Sequence, residues 1–184
     1  MYPVVRLAKV TARAWRGRRL EPLDTSRVSF LVWPNDLDNN LHLNNGRYLT
    51  LMDLGRWDLA LRTGLVGLVV RNRWQPLAGG VSIRFRRPLP PLRSYDLLTR
   101  ILAWDAKWFY MEQRFRQAGR DKARALVRVL FRGPGGNVPP AEVAAALGRA
   151  GVQSPPLGEE LVLWDRMLAA GGAPPEAKAP PPPG

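Results

Sequence analysis

Apolar and polar positions repeat with a helical period over residues 2–16, and alternate with a strand's period of two near residue 125. In the first stretch, at about 100° per residue, Arg6, Lys9, Arg13 and Arg16 fall within roughly an 80° arc. Val4, Leu7, Ala8, Thr11 and Trp15 cluster opposite them. Such a helix fits two destinations: the interface of an acidic membrane, or docking on its own domain or a partner subunit. Residues 26–33 read as a first strand stopped by Pro34. A polar loop follows to residue 43. Asn44 or Asn45 then caps a helix that runs to about Arg62 and ends at Gly64. Tyr48, Leu49, Leu51, Met52, Leu54, Leu59, Ala60 and Leu61 make this helix apolar around much of its circumference, so other elements must wrap it.

Four strand-like segments come next, at about 77–87, 94–105, 108–117 and 121–132. In the last, Ala123, Ala125, Val127, Val129 and Phe131 oppose Lys122, Arg124, Arg128 and Arg132. Asp105-Ala-Lys107 and Gly119-Arg-Asp121 supply hairpin turns. Strand, helix, then four strands predicts an α+β fold, an antiparallel sheet of about five strands wrapped around one long helix. Pro139–Leu147 and Glu159–Ala169 each suit a short helix, and the Pro/Ala-rich stretch from Gly171 to Gly184 reads as disordered. The expected organisation is a basic amphipathic helix at 1–19, the main domain at 20–147, and a C-terminal extension at 148–184.

Composition narrows the chemistry. Absence of Cys rules out thiolate nucleophiles, disulfides and Cys-ligated metals, and a single His makes a His-rich zinc site improbable. No apolar run reaches the ~20 residues of a membrane span, and a cytoplasmic location is the default expectation. The net charge of +13 is carried mostly by arginine, which suits planar contacts to phosphate. It favours an anionic partner such as CoA phosphates, an acidic carrier protein or an acidic membrane. No nucleic-acid recognition motif accompanies the charge. A Gly-x-Ser-x-Gly elbow, a Walker A loop and a dinucleotide fingerprint are all missing.

The densest polar cluster is Asp36-Leu-Asp38-Asn-Asn40-Leu-His42-Leu-Asn44-Asn45-Gly-Arg-Tyr48, directly before the apolar helix. Unpaired N–H groups at a helix start can serve whatever occupies a neighbouring site. This pattern resembles the active-site segment of hotdog-fold thioesterases, of both the plant acyl-carrier-protein type and the 4-hydroxybenzoyl-CoA type. The flanks Phe30-Leu-Val-Trp-Pro34 and Met52-Asp-Leu-Gly-Arg56 are closer to bacterial relatives of thioesterase superfamily member 6. The resemblance extends through Ile83–Pro88 and Trp104–Tyr110 to cover roughly 20–147.

The resemblance implies a hotdog fold, hydrolysis of an acyl-CoA or acyl-carrier-protein thioester, no metal or cofactor, and a homodimer or tetramer with sites at subunit interfaces. It gives Asp38 the position of the acid acting as base or nucleophile; the alternative is a turn aspartate holding the loop backbone. Asn40 and His42 match the catalytic Asn-x-His pair of the plant enzymes. Asn44, Asn45, Gly46 and Tyr48 form the substrate side of the helix entrance, the asparagines chiefly as caps. Asp36 is expected to order the loop. On the helix, Asp53 is either a second catalytic acid or a buried structural partner of Arg56, and Asp58–Arg62 a solvated pair. Alternation on 77–87 sets Val81, Ile83 and Phe85 against Arg84 and Arg86. Arg84, Arg86 and Arg87 are then candidate phosphate contacts or part of a solvated face. Leu49 and Met52 should contribute an apolar acyl pocket. Acyl or lipid binding without catalysis is the rival reading.

Overall fold

A computed structural model describes residues 4–171. Its elements are α1 (Val4–Arg16), β1 (Ser26–Leu31), a 3-10 turn (Pro34–Asp36), α2 (Asn45–Thr63), α3 (Leu65–Arg71), β2 (Gln75–Phe85), β3 (Ser94–Trp104), β4 (Phe109–Gln117), β5 (Arg120–Gly133), β6 (Gly136–Val138), α4 (Pro140–Ala146) and α5 (Glu159–Ala170). The strands form one antiparallel sheet in the order β1-β3-β4-β5-β2, with β6 added to the end of β5. The expected central helix and five main strands are all present; the 3-10 turn, α3 and β6 are additional. Of the expected N-terminal helix, residues 2 and 3 lie outside the described residues, as does the tail from 172.

The sheet curls around α2 because one side of each central strand is apolar. Leu97, Met111, Phe115, Ala123, Ala125 and Val127 join Tyr48, Leu51, Met52 and Leu54 in a single core. Gly55 allows α2 to approach the sheet closely: a Cβ there would sit 2.5 Å from Thr99 Oγ1. The helix starts where Asn44 Oδ1 accepts the Gly46 N–H at 2.8 Å and stops where Gly64 turns left-handed at φ 84°. Gly64 also opens α3, whose Leu68 packs with Trp74, Phe109, Phe131 and Val143. The opposite side of the sheet is covered by α5, through Leu161 and Trp164 against Ala103, Tyr110 and Leu126.

On β2, Ile83 packs against the core and Phe85 lies 4.9 Å from Tyr48, although the strand is at the sheet edge and Val81 and Phe85 are exposed. Two expectations are corrected. The two helix ion pairs exchange environments. Asp58, expected in solvent, is 1% exposed and accepts the Ser26 hydroxyl at 2.6 Å, with Arg62 3.5 Å away. Asp53, expected to be buried with Arg56, has a side chain 49% exposed. The face of α2 that carries Asp58 lies under β1 and α1, whereas no described element covers Asp53.

Candidate functional site

The loop before α2 is built on Asp36. Its buried carboxylate accepts the Trp33 N–H at 3.0 Å and Arg6 Nη1 at 2.9 Å, and its carbonyl accepts the Asn44 N–H at 2.8 Å. Arg6 reaches it from α1, so the N-terminal helix is wired to the loop. A bridge between Leu37 and Leu43 then closes a tight hairpin over residues 38–42. At its base the Asp38 N–H donates to the His42 carbonyl at 2.9 Å. Leu41 at the tip is exposed and held at φ 56°, a left-handed conformation costly for a branched side chain.

Within this hairpin Asp38, Asn40 and His42 come together. Asp38 Oδ1 accepts the N–H groups of Asn40 at 2.9 Å and His42 at 3.3 Å. Asp38 Oδ2 takes no hydrogen bond from the described residues. Asp38 thus has the turn role and one oxygen left over. Asn44 is the cap of α2, and the N–H groups of Gly46 and Arg47 are taken by its side chain and carbonyl. Asn45 and Gly46 are exposed in the first turn. Tyr48 is buried, its ring 4.9 Å from Phe85 and 4.6 Å from Phe115, so it is a core residue first. Burial, with the Asp38 charge adding to it, pushes its hydroxyl up to about 12.

Asp53 lies elsewhere. A cavity of about 520 Å³ opens between α2, α3, α4 and the sheet, within the ~300–1,000 Å³ typical of small-molecule sites. Its walls include Leu65, Val69, Ile101, Phe131, Val143 and Leu147, and its charged residues are Asp53 and Arg56. Asp38, Asn40 and His42 do not line it, and neither do Leu49 and Met52; Met52 is wholly core and Leu49 is exposed. Arg56 is fixed from both sides: it bonds the Asp53 carboxylate, and its Nη1 donates to Gln113 Oε1 at 2.8 Å. Gln113, fully buried, donates to the Met52 carbonyl at 2.9 Å and to Thr99 Oγ1 at 3.0 Å. A polar chain therefore runs from the sheet through α2 to the carboxylate on the cavity wall.

The three candidate arginines separate. Past Phe85 the strand period breaks, since the N–H groups of Arg86 and Arg87 both donate to the Lys122 carbonyl, at 2.8 and 3.1 Å. Arg86 and Arg87 join Arg114, Arg116, Arg120 and Asp121 around a polar recess of about 550 Å³. Arg84 does not line it; it pairs in register with Arg124 across β2 and β5.

Sequence reasoning missed the walls given by α3 and α4, the arginines from the β4–β5 hairpin, and Gln113. Alternation with Phe115 marks Arg114 and Arg116 as outward-facing, but only the sheet register brings them to Arg86 and Arg87.

The family model described as the thioesterase-like superfamily matches residues 32–164. Protein THEM6 of Xenopus laevis is 35% identical over 136 residues, a match covering 74% of this chain and 65% of that protein. Among solved structures, the probable thioesterase YbaW of Escherichia coli superposes with a TM-score of 0.62 at 18% identity, over 69% of this chain and 98% of that one. The hypothetical protein SAV2348 of Staphylococcus aureus, in complex with CoA, gives 0.60 at 10% identity, over 78% and 95%. At these identities the structures establish the fold, and it is the hotdog fold.

Proposed function

This chain belongs to the thioesterase-like superfamily, and from that premise we propose that it hydrolyses acyl thioesters carried on CoA or an acyl-carrier protein. The observation carrying the proposal is the cavity: apolar walls suited to an acyl chain, with one acid–base pair, Asp53 and Arg56, on its rim. Thioester hydrolysis asks for a carboxylate and charge-stabilising donors but little help for the leaving thiolate. Water attacks the carbonyl carbon, a carboxylate takes its proton, and the C–S bond breaks to give an acid and a thiol.

The activating carboxylate in this reading is Asp38. Two backbone N–H groups anchor Oδ1 and leave Oδ2 available, beside His42 and the start of α2. Asn40 and His42 orient the water or polarise the carbonyl. The α2 face bearing Leu49, Asp53 and Arg56 leads from that loop to the cavity, so Asp53 belongs to the acyl side. Arg86 and Arg87, in the polar recess, suit CoA phosphates or an acidic carrier surface. Two protomers pair along β2, an edge strand with exposed Val81 and Phe85.

One observation favours the rival, acyl binding without turnover: both carboxylates are engaged, Asp38 by its loop and Asp53 by Arg56. A panel of acyl-CoAs decides between them. Measurable kcat with wild-type protein, lowered by about two orders of magnitude or more in Asp38→Asn, supports hydrolysis. Full turnover in Asp38→Asn alongside an inactive Asp53→Asn would move the chemistry to the helix. Acyl-CoA binding with no turnover would favour the binder.

A further inference from the structure

Docking does not use up the apolar surface of α1. Its buried side is Val10 and Ala14 with part of Leu7, reinforced by Trp57 Nε1 donating to Thr11 Oγ1 at 2.9 Å and by Arg6 on Asp36. The sequence alone groups Leu7 and Thr11 with Val4, Ala8 and Trp15, but the structure splits that face. Trp15 is 80% exposed, Val4 67% and Val5 70%, and Ala8 and Ala12 are exposed between them. At about 100° per residue these five span roughly a 100° arc, pointing away from the domain. Arg16, Lys9 and Arg13 border one side of the arc and are exposed, the charge of Arg13 also acting on Asp96.

We propose that this outer face of α1 is a docking surface for an anionic lipid bilayer, with Trp15, Val4 and Val5 in the headgroup region and Lys9, Arg13 and Arg16 against lipid phosphates. A helix with an apolar face containing Trp, flanked by cations, has the composition of one lying in the interface plane. At 13 residues α1 is shorter than the ~20 that a span requires. Charge complementarity selects the occupant. Pairing this face with the same face of a second copy would bring six cations together, whereas an acidic surface neutralises them. The net charge of +13 acts in the same direction. The arrangement also has a geometric consequence. Leu7, on the other side of the same helix, lines the apolar cavity. One helix would separate the bilayer from the acyl site, and a ligand with a fatty chain would have a short way between them.

The surface is tested by sedimenting the full chain with vesicles of phosphatidylcholine, alone or mixed with phosphatidylglycerol. This readout is independent of thioester turnover. Wild-type protein should sediment with the mixed vesicles at low salt, where the screening length exceeds about 10 Å, and be released by high salt. A Lys9→Gln, Arg13→Gln, Arg16→Gln variant should lose about a hundredfold in partitioning, at about fivefold per charge. Trp15→Ser should weaken binding with no change in thermal stability, because its side chain touches solvent and not the core. Equal sedimentation of the charge variant, no sedimentation of wild type, or a change of oligomer mass in Trp15→Ser in place of a change in lipid binding would each overturn the proposal. The last would assign the face to a second copy.

Discussion

Replacing Gln113 by Leu removes the polar link between sheet and helix while nearly conserving volume, so packing strain should stay below about 1.5 kcal/mol. Three hydrogen bonds disappear. The one from Arg56 at 2.8 Å is charge-assisted, in a class worth about 1.5–3 kcal/mol. The Arg56 side chain is 21% exposed and can turn partly to water, which places its loss at the lower end. The bonds to the Met52 carbonyl and Thr99 Oγ1 contribute about 1 kcal/mol each. Burying a hydrocarbon in place of an amide returns about 1–2 kcal/mol. The net expectation is a loss of about 2–3 kcal/mol, or a Tm lower by about 5–10 °C for a chain of this length. Guanidinium unfolding followed by circular dichroism measures it, with an unchanged m-value showing that the states compared are the same. A double-mutant cycle with Arg56→Met should return a coupling of about 1 kcal/mol or more. A loss under about 0.5 kcal/mol, or no coupling, would refute the claim that this network holds Arg56 and hence Asp53.

Three further expectations follow from the geometry. Gly55→Ala should destabilise by about 3 kcal/mol despite alanine's better helix propensity, because its Cβ would fall 2.5 Å from Thr99 Oγ1 and 2.8 Å from Leu97 Cδ2; a stabilised variant in thermal melts would contradict the packing. Burial by itself would raise the Glu112 carboxyl, but the guanidiniums of Arg124, Arg114 and Arg100 outweigh it and hold the group below the usual carboxylate range. Its stabilisation is therefore complete above the unfolded-state pKa of about 4.3 and fades as pH falls through the lower folded value. The stability gap between wild type and Glu112→Gln in urea should accordingly shrink below about pH 4, and a constant gap would remove this group from the acid response. Ala substitutions at Arg86 and Arg87 should raise KM and flatten its salt dependence while sparing kcat; an unchanged KM at every salt concentration returns them to the solvated surface.

The features legible in the chain alone are local ones. Asn44 as a cap, Gly64 as a left-handed stop, and Asp105 and Gly119 at the hairpins all act through backbone groups a few residues away, so α2 and the main strands are legible from the chain. The turn role of Asp38 is legible for the same reason, as is the ordering role of Asp36, although its partner Arg6 is thirty positions away; that the polar loop closes into a hairpin is not. Whatever depends on which element covers a surface is set by packing. Asp53 and Asp58 carry the same side chain on one helix, and only the position of β1 and α1 buries one and leaves the other open. Period-two alternation on β2 cannot reveal that the strand lies at the sheet edge. The cavity is assembled from α1, α2, α3, α4 and four strands, and the arginine recess from a strand end and a distant hairpin. Capping and alternation are properties of neighbouring residues, whereas burial and convergence are set by the packing of segments far apart in the chain.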